Sequence, residues 1–147
     1  MRWDRGNFTV TDCREDLDDE LIYTFLSTRS YWAKGRPKDV VVKSLDHSLC
    51  FGLFQNEDQV GFGRVVTDRA TFGYLADVFI LEGYRGQGLG TWLVECMLSH
   101  PELTGLRRWM LATADAHQLY RQQGFAPLGK PEMLMERLTP EVYQRQG

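Results

Sequence analysis

The run Arg85-Gly86-Gln87-Gly88-Leu89-Gly90-Thr91 sets three glycines and an arginine against an apolar stretch with helical spacing, Leu89, Trp92, Leu93, Cys96 and Met97. Glycine in or beside a helix costs about 1 kcal/mol relative to alanine. A bound phosphate would offset that cost. The first amides of a helix have no internal partners, and the helix dipole adds positive potential there. Glycines let the backbone approach a bulky pyrophosphate, and Arg85 contributes a fixed positive charge. Three phosphate-binding patterns compete. The Walker pattern requires a lysine after its last glycine, and Gly88 is followed by Leu89 and Gly90. The dinucleotide pattern G-x-G-x-x-G requires a third glycine where Thr91 stands. The pattern [QR]-x-x-G-x-[GA] is met in full by Arg85 to Gly90.

Other residues with chemical potential are dispersed. Asp77 is the only acid in "TFGYLADVFIL", residues 71–81. Partial desolvation among apolar neighbours would raise its pKa and suit it to general-base work, directly or through water. It could equally hold a cationic substrate or form a structural ion pair. Glu82 is the second acid to consider, and His117 is a third base, although a histidine on a short helix is commonly a surface group. In "RSYWAKGRP", residues 29–37, Tyr31 and Trp32 could stack on a substrate or make cation–π contact with it. Lys34 and Arg36 could meet an anionic group, or the whole segment could be a helix end with surface cations. Tyr74 and Arg64 are further pocket candidates. Cys96 falls on the apolar stripe and reads as core.

These groups need elements to position them. "NFTVT" (7–11) alternates like a short strand. An acidic cluster leads into a helix in which Leu17, Leu21, Ile22, Phe25 and Leu26 recur at helical spacing, with acids at its positive end. A second helix starts near Pro37. Residues 48–55 and 59–68 read as a hairpin around "NED", and 71–81 as a central strand covered on both faces. The glycine run opens a helix over 88–99. Strand 107–113, helix 115–123 closed by Gly124, strand 132–138 and a helical tail over 139–146 follow. This order predicts one α/β (α+β) domain over residues 1–147, with a mixed, mostly antiparallel sheet of about six to seven strands and about four helices.

Composition is that of an ordinary globular domain: 147 residues, 43% hydrophobic and 25% charged. No apolar run approaches the roughly 18 residues of a membrane span, and "MRWDRGNFTV" lacks the apolar stretch of a signal peptide. Cys13, Cys50 and Cys96 have neither metal-ligand nor disulfide spacing and fit a reducing cytoplasm. A net charge of −3 argues against nucleic acid and sits more easily with a small substrate.

The Arg85–Gly90 pattern resembles the pyrophosphate loop of the GNAT N-acetyltransferases. "VFILEGY" looks like that family's fourth strand approaching its loop. About 30 residues downstream, "DAHQLYRQQGF" is similar to the family's A-x-x-L-Y-x-x-x-G-F element, with Ala116, Leu119, Tyr120, Gly124 and Phe125 in register. The order of elements matches along nearly the whole chain. One departure is Thr113, where many members carry asparagine seven residues before the tyrosine. The resemblance implies a V-shaped splay between strands 4 and 5, with acetyl-CoA bound there and no metal. Backbone amides of residues 86–91 would hold its pyrophosphate, with Arg85 and Thr91 assisting, and Phe79 and Ile80 would offer backbone hydrogen bonds to the pantetheine arm. Tyr120 takes the position of the general acid for the departing thiolate. A phenol near pKa 10 can serve a thiol near 8.5 if the two come within reach. The first two helices and their loop would build the acceptor pocket from Tyr31, Trp32, Lys34 and Arg36, with Tyr74. The expected activity is direct attack of a small-molecule primary amine on acetyl-CoA. The alternatives are a non-catalytic acyl-CoA-binding sensor or partner module, transfer of another acyl group, and a protein amine as acceptor. A homodimer is compatible with the aromatic-rich composition.

Overall fold

A computed structural model describes residues 1–144. Six strands form one sheet in the order β1-β2-β3-β4-β5-β6: β1 Arg2–Arg5, β2 Phe8–Thr11, β3 Leu49–Gln55, β4 Asp58–Thr67, β5 Phe72–Ile80 and β6 Arg108–Met110. Every neighbouring pair is antiparallel except β5 and β6. Four α-helices flank it: α1 Asp19–Thr28, α2 Lys38–Asp46, α3 Leu89–Leu98 and α4 His117–Gln122. This is the mixed, mostly antiparallel architecture expected from the sequence. Strand β1 is an addition to the sequence reading, because the charged run "RWDR" gives little strand signal on its own. Its presence makes the expected fourth and fifth strands β5 and β6.

Local chemistry explains the helices. The Asp18 carboxylate accepts the Leu21 amide at 3.0 Å and caps α1, whose Ile22, Phe25 and Leu26 are buried. Pro37 precedes α2 as its cap residue, and Val41 and Leu45 face inward. Helix α3 buries Leu89, Trp92, Leu93, Val94, Cys96 and Met97. The sheet therefore separates two apolar layers. One joins α3 to Val10, Phe51, Leu53, Val65 and Leu75. The other joins α1 and α2 to Cys50, Phe62 and Phe79.

Two features of β5 create the working cleft. Its parallel pairing with β6 covers only Phe72 to Tyr74 against Arg108 to Met110. Beyond Tyr74 the strands part, so β5 runs six more residues with that edge free of β6. The separation is the expected splay, and it is why β6 is shorter than residues 107–113. The second feature is a bulge. Phe62 and Arg64 of β4 pair with Phe79 and Ala76, so two steps along β4 face three along β5. Asp77 lies in that extra length with φ 55°, in the left-handed region. The faces exchange across it: Leu75 packs in the α3 layer and Phe79 in the α1–α2 layer, while Val78 and Ile80 turn to the α3 side.

The expected strand over 132–138 does not form. Pro131–Met133 is a 3₁₀ turn, closed by the Met133 amide on the Lys130 carbonyl (3.0 Å) and the Leu134 amide on the Pro131 carbonyl (3.1 Å), and residues 134–138 have no ladder partner. The expected helical tail is only turns over residues 140–144, and its last two residues, 145 and 146, lie outside the described ones.

Candidate active site

The glycine loop follows β5 directly. A 3₁₀ turn over Glu82–Tyr84 leads to Gly86 (φ 83°) and to Gly88 (φ 77°), the residue before α3. Side chains rarely adopt such angles, and a Cβ at either position would meet nothing within 4 Å. Packing is therefore not what calls for glycine there; backbone conformation is. No side chain caps α3, and no acid stands in its first turn. Its leading amides face the cleft with the dipole uncompensated. The Arg85 Nε donates to the Ile80 carbonyl at 3.0 Å, which lays the guanidinium back across the end of β5.

A cavity of about 600 Å³ opens in front of this loop. Its walls include Val78, Phe79 and Ile80 of β5, Arg85, Gly86, Gly88, Leu89, Gly90 and Thr91 of the loop, and Leu119 and Tyr120 of α4. These residues fit a pyrophosphate with an extended arm: uncapped amides and a cation at one end, a free strand edge along one side. The Gln87 side chain is exposed, outside the wall, and its amide nitrogen lies 3.4 Å from the Tyr84 carbonyl. The Phe79 ring turns into the core, stacked on Phe25 at 3.9 Å, which leaves only its backbone for the cleft.

A second cavity of about 280 Å³ adjoins the first and shares Tyr31, Trp32, Val78, Asp115, Ala116 and Tyr120 with it. Tyr74, Asp77 and Thr113 complete much of its wall. Tyr31 reaches from the α1–α2 loop across to the β6–α4 turn, where its hydroxyl accepts the Ala114 amide at 2.8 Å. Its ring meets Trp32 edge-on at 5.0 Å. The Thr113 hydroxyl accepts the Ala116 amide at 3.1 Å and so shapes the entry to α4. The side chain at the position of the sequence departure thus supports the helix that carries Tyr120.

Tyr120 borders both cavities, and its hydroxyl has no hydrogen-bond partner among the described residues. Burial, with added repulsion from Tyr31 and Asp115, pushes its pKa up to about 12. The phenol therefore keeps its proton across the neutral range.

Asp77 forms the structural ion pair that the sequence left open beside the roles of base and substrate anchor. The bulge turns it to the α1–α2 side, where Oδ1 accepts Trp32 Nε1 at 2.8 Å and Oδ2 accepts both Arg36 and Arg64 at 2.8 Å. Burial raises its pKa, but the charges and hydrogen bonds of Arg64 and Arg36 outweigh burial, and the net shift is downward. This reverses the raised value expected from apolar neighbours. The carboxylate is a poor proton acceptor and a firm anchor. Arg36 is thereby drawn behind the pocket wall, where its Nε also donates to the Tyr143 hydroxyl at 3.1 Å. Arg64 donates to the Ser48 hydroxyl at 3.0 Å. Lys34 is exposed and outside both walls, Glu82 is exposed, and His117 sits on the outer side of α4. The sequence reading missed Tyr143, which lies 107 residues from its partner Arg36 and carries no local signal. No group of His, Cys, Asp or Glu side chains among the described residues could hold a metal ion. No helix among them is long and apolar enough to cross a membrane.

Comparison with known proteins gives a consistent picture. A sequence profile described as the acetyltransferase (GNAT) family matches residues 11–125. The chain is 34% identical over 142 residues to a candidate acetyltransferase of Gibberella zeae, covering 82% of this chain and 79% of that one. It is 46% identical to a candidate GNAT-family acetyltransferase of Xanthomonas campestris of known crystal structure, with a TM-score of 0.91 over 95% of this chain and 99% of that one. Glucosamine-6-phosphate N-acetyltransferase of Arabidopsis thaliana superposes with a TM-score of 0.63 at 16% identity, over 89% and 97% of the two chains, a likeness of fold alone.

Proposed function

The chain belongs to the GNAT acetyltransferase family, and from that premise we propose that it is an acetyl-CoA-dependent N-acetyltransferase acting on a primary amine of a small molecule. The observation that carries the reading is the unpartnered Tyr120 hydroxyl at the junction of the two cavities. Acetyl-CoA supplies an activated acyl thioester when bound.

The residues divide the remaining work. The amides of residues 86–91 bind the pyrophosphate, with Arg85 and the Thr91 hydroxyl at hand. The free edge of β5 at Phe79 and Ile80 pairs with the extended arm as a further strand would. Tyr31, Trp32 and Tyr74 enclose the acceptor, which attacks as the neutral amine without a covalent enzyme intermediate. Positioning of this kind can contribute about 7–11 kcal/mol. Tyr120 holds its proton on the phenol oxygen and donates it toward the departing sulfur. Because its pKa is raised, a hydrogen bond to the developing thiolate contributes more than early, complete transfer. Asp77 is a positioning residue in this reading: it holds Trp32 in the pocket wall and keeps Arg36 and Arg64 in place. The three free thiols suit a cytoplasmic enzyme.

The test is release of the CoA thiol from acetyl-CoA over a broad amine panel, wild type beside Tyr120→Phe, with enzyme-only blanks. The expected result is turnover on a subset of amines, reduced about 100-fold or more in the variant, with acetyl-CoA affinity retained. Binding without turnover on any amine would favour a sensor module or another acyl group. Absence of acetyl-CoA binding would remove the reading.

A further inference from the structure

The two cavities differ in the charges they carry. Arg29 and Arg85 stand in the wall of the larger one, both exposed, as suits a polyanionic cofactor. The smaller one has no Lys, Arg or His side chain in its wall, and its only charged side chains are Asp77 and Asp115. These two carboxylates are not equivalent. Asp77 is 2% exposed and taken up by Trp32, Arg36 and Arg64, and neither guanidinium belongs to the wall. Asp115 is exposed, and its carboxylate has no hydrogen-bond or ion-pair partner among the described residues. It stands where the cavities meet, beside Tyr31, Trp32 and Tyr120. Its charge is felt at that point, since it helps to keep the proton on Tyr120.

Two rings complete the junction. Tyr31 and Trp32 stand nearly perpendicular, at 81° with 5.0 Å between ring centres. Each is tied at its polar tip, Tyr31 to the Ala114 amide and Trp32 to Asp77. What they leave for a ligand is ring surface, which attracts cations. A free carboxylate and fixed ring surface at one point make a seat for one ammonium group. Past the junction the wall changes. Tyr74, Leu75, Leu111, Ala112 and Thr113 belong to the smaller cavity alone, and no unpaired charge stands among them. A second ammonium there would lose water without gaining a counter-charge, and a carboxylate would find no cation. A neutral ring has Tyr74 to pack on.

From this we infer that the acceptor, in a proposal that rests on the acetyl-transfer reading, is an arylalkylamine: one ammonium seated on Asp115 against Tyr31 and Trp32, with an uncharged aromatic tail in the smaller cavity. A primary alkylamine is protonated at neutral pH, so it arrives as the cation that this seat receives. Asp115 is then a specificity-determining residue, and the same wall disfavours diamines and amino acids.

The test is calorimetric titration of the full chain, with and without saturating CoA, using 2-phenylethylamine, 2-phenylethanol, 1,4-diaminobutane and 4-aminobutanoate. The alcohol removes the charge of the head, and the last two replace the ring by a charge of either sign. 2-Phenylethylamine is expected to bind about tenfold more tightly than each of the others. In Asp115→Asn its lead over the alcohol should shrink by about threefold. The thermal midpoint should stay unchanged, because the exposed, unpartnered side chain supports nothing in the fold. Equal binding of all four overturns the inference, as does a lead for the diamine or for 4-aminobutanoate. So does a lead over the alcohol that Asp115→Asn leaves intact, and so does absence of 2-phenylethylamine binding. Turnover with acetyl-CoA is read separately on the three amines. The expected binding order without acetylation of 2-phenylethylamine keeps the arylalkylammonium seat and removes the transfer reading. Acetylation confined to the diamine or to 4-aminobutanoate keeps the transfer reading and overturns this one.

Discussion

Asp77 shows how little of a residue's chemistry its neighbours in sequence disclose. Its local run is apolar, and from that alone its pKa should rise. Its true partners, Trp32, Arg36 and Arg64, stand 45, 41 and 13 residues away. Two guanidiniums and an indole N–H stabilise the charged form beyond the cost of burying it. Asp77→Asn keeps a residue that tolerates the left-handed backbone and removes only the charge. Left with two buried guanidiniums and no counter-charge, the variant should lose about 3–5 kcal/mol of stability at neutral pH. The lowered pKa fixes the pH window. Asp77 contributes its full stability above the unfolded value near about 4, and the contribution is lost as acidification passes through the lower folded value. Thermal unfolding of both proteins across that range is the measurement. Their midpoints should converge toward the acid side, and curves that stay parallel would exclude the ion-pair account. Tyr120, by contrast, was legible, because its signal is a local spacing of Ala116, Leu119, Gly124 and Phe125 around one helical turn.

At the scale of the element, the loop and α3 were legible for the same reason: glycine spacing and an apolar stripe are local patterns. What the pattern left undecided is which glycines are obligatory. Gly88 has φ 77°, whereas Gly83 lies outside the left-handed region and has open space around its Cβ position. Gly88→Ala should therefore cost about 1–2 kcal/mol in backbone strain, while Gly83→Ala should be nearly silent. Paired denaturant titrations and acetyl-CoA binding measurements check this. Gly88→Ala should weaken binding beyond its effect on stability, since it displaces the amides to which we assign the pyrophosphate. Strand β5 was read correctly as covered on both faces, but its bulge was invisible because nearly every position in the run is apolar. Residues 132–138 failed in the opposite way. Their composition suits a strand, yet a strand exists only where an edge lies alongside it.

Across the whole molecule, long-range polar links tie the chain's beginning to its middle. The Met1 amino group pairs with Asp12 at 2.8 Å, and Asp12 in turn meets the buried His100 at 2.7 Å. His100 Nδ1 accepts the Glu102 amide at 3.1 Å, so its Nε2 carries the hydrogen that Asp12 accepts. Asp12→Ala would strand that buried donor. A loss of about 1–3 kcal/mol is expected, and the midpoint should fall by about 2–4 °C per kcal/mol in a calorimetric scan. The architecture was readable as a whole because strand and helix order follow from periodicity. Links such as Asp12 to His100, 88 residues apart, were not.

The extra residue in β5 has one more consequence, which is a matter of parity. Up to Leu75, odd-numbered side chains point to the α3 layer; past Asp77, even-numbered ones do. Deleting that one residue would restore a regular two-for-two ladder against Phe62–Arg64 and leave Phe79 facing α1, with Val78 and Ile80 facing α3. The strand loses no alternation by it; what it loses is the carboxylate that Arg36 and Arg64 share. Elsewhere in β5 a change of length by one would reverse every side chain beyond it. The bulge is thus the one point of the strand where a residue can be gained or lost without turning the rest over, and the residue it admits is the anchor of the pocket wall.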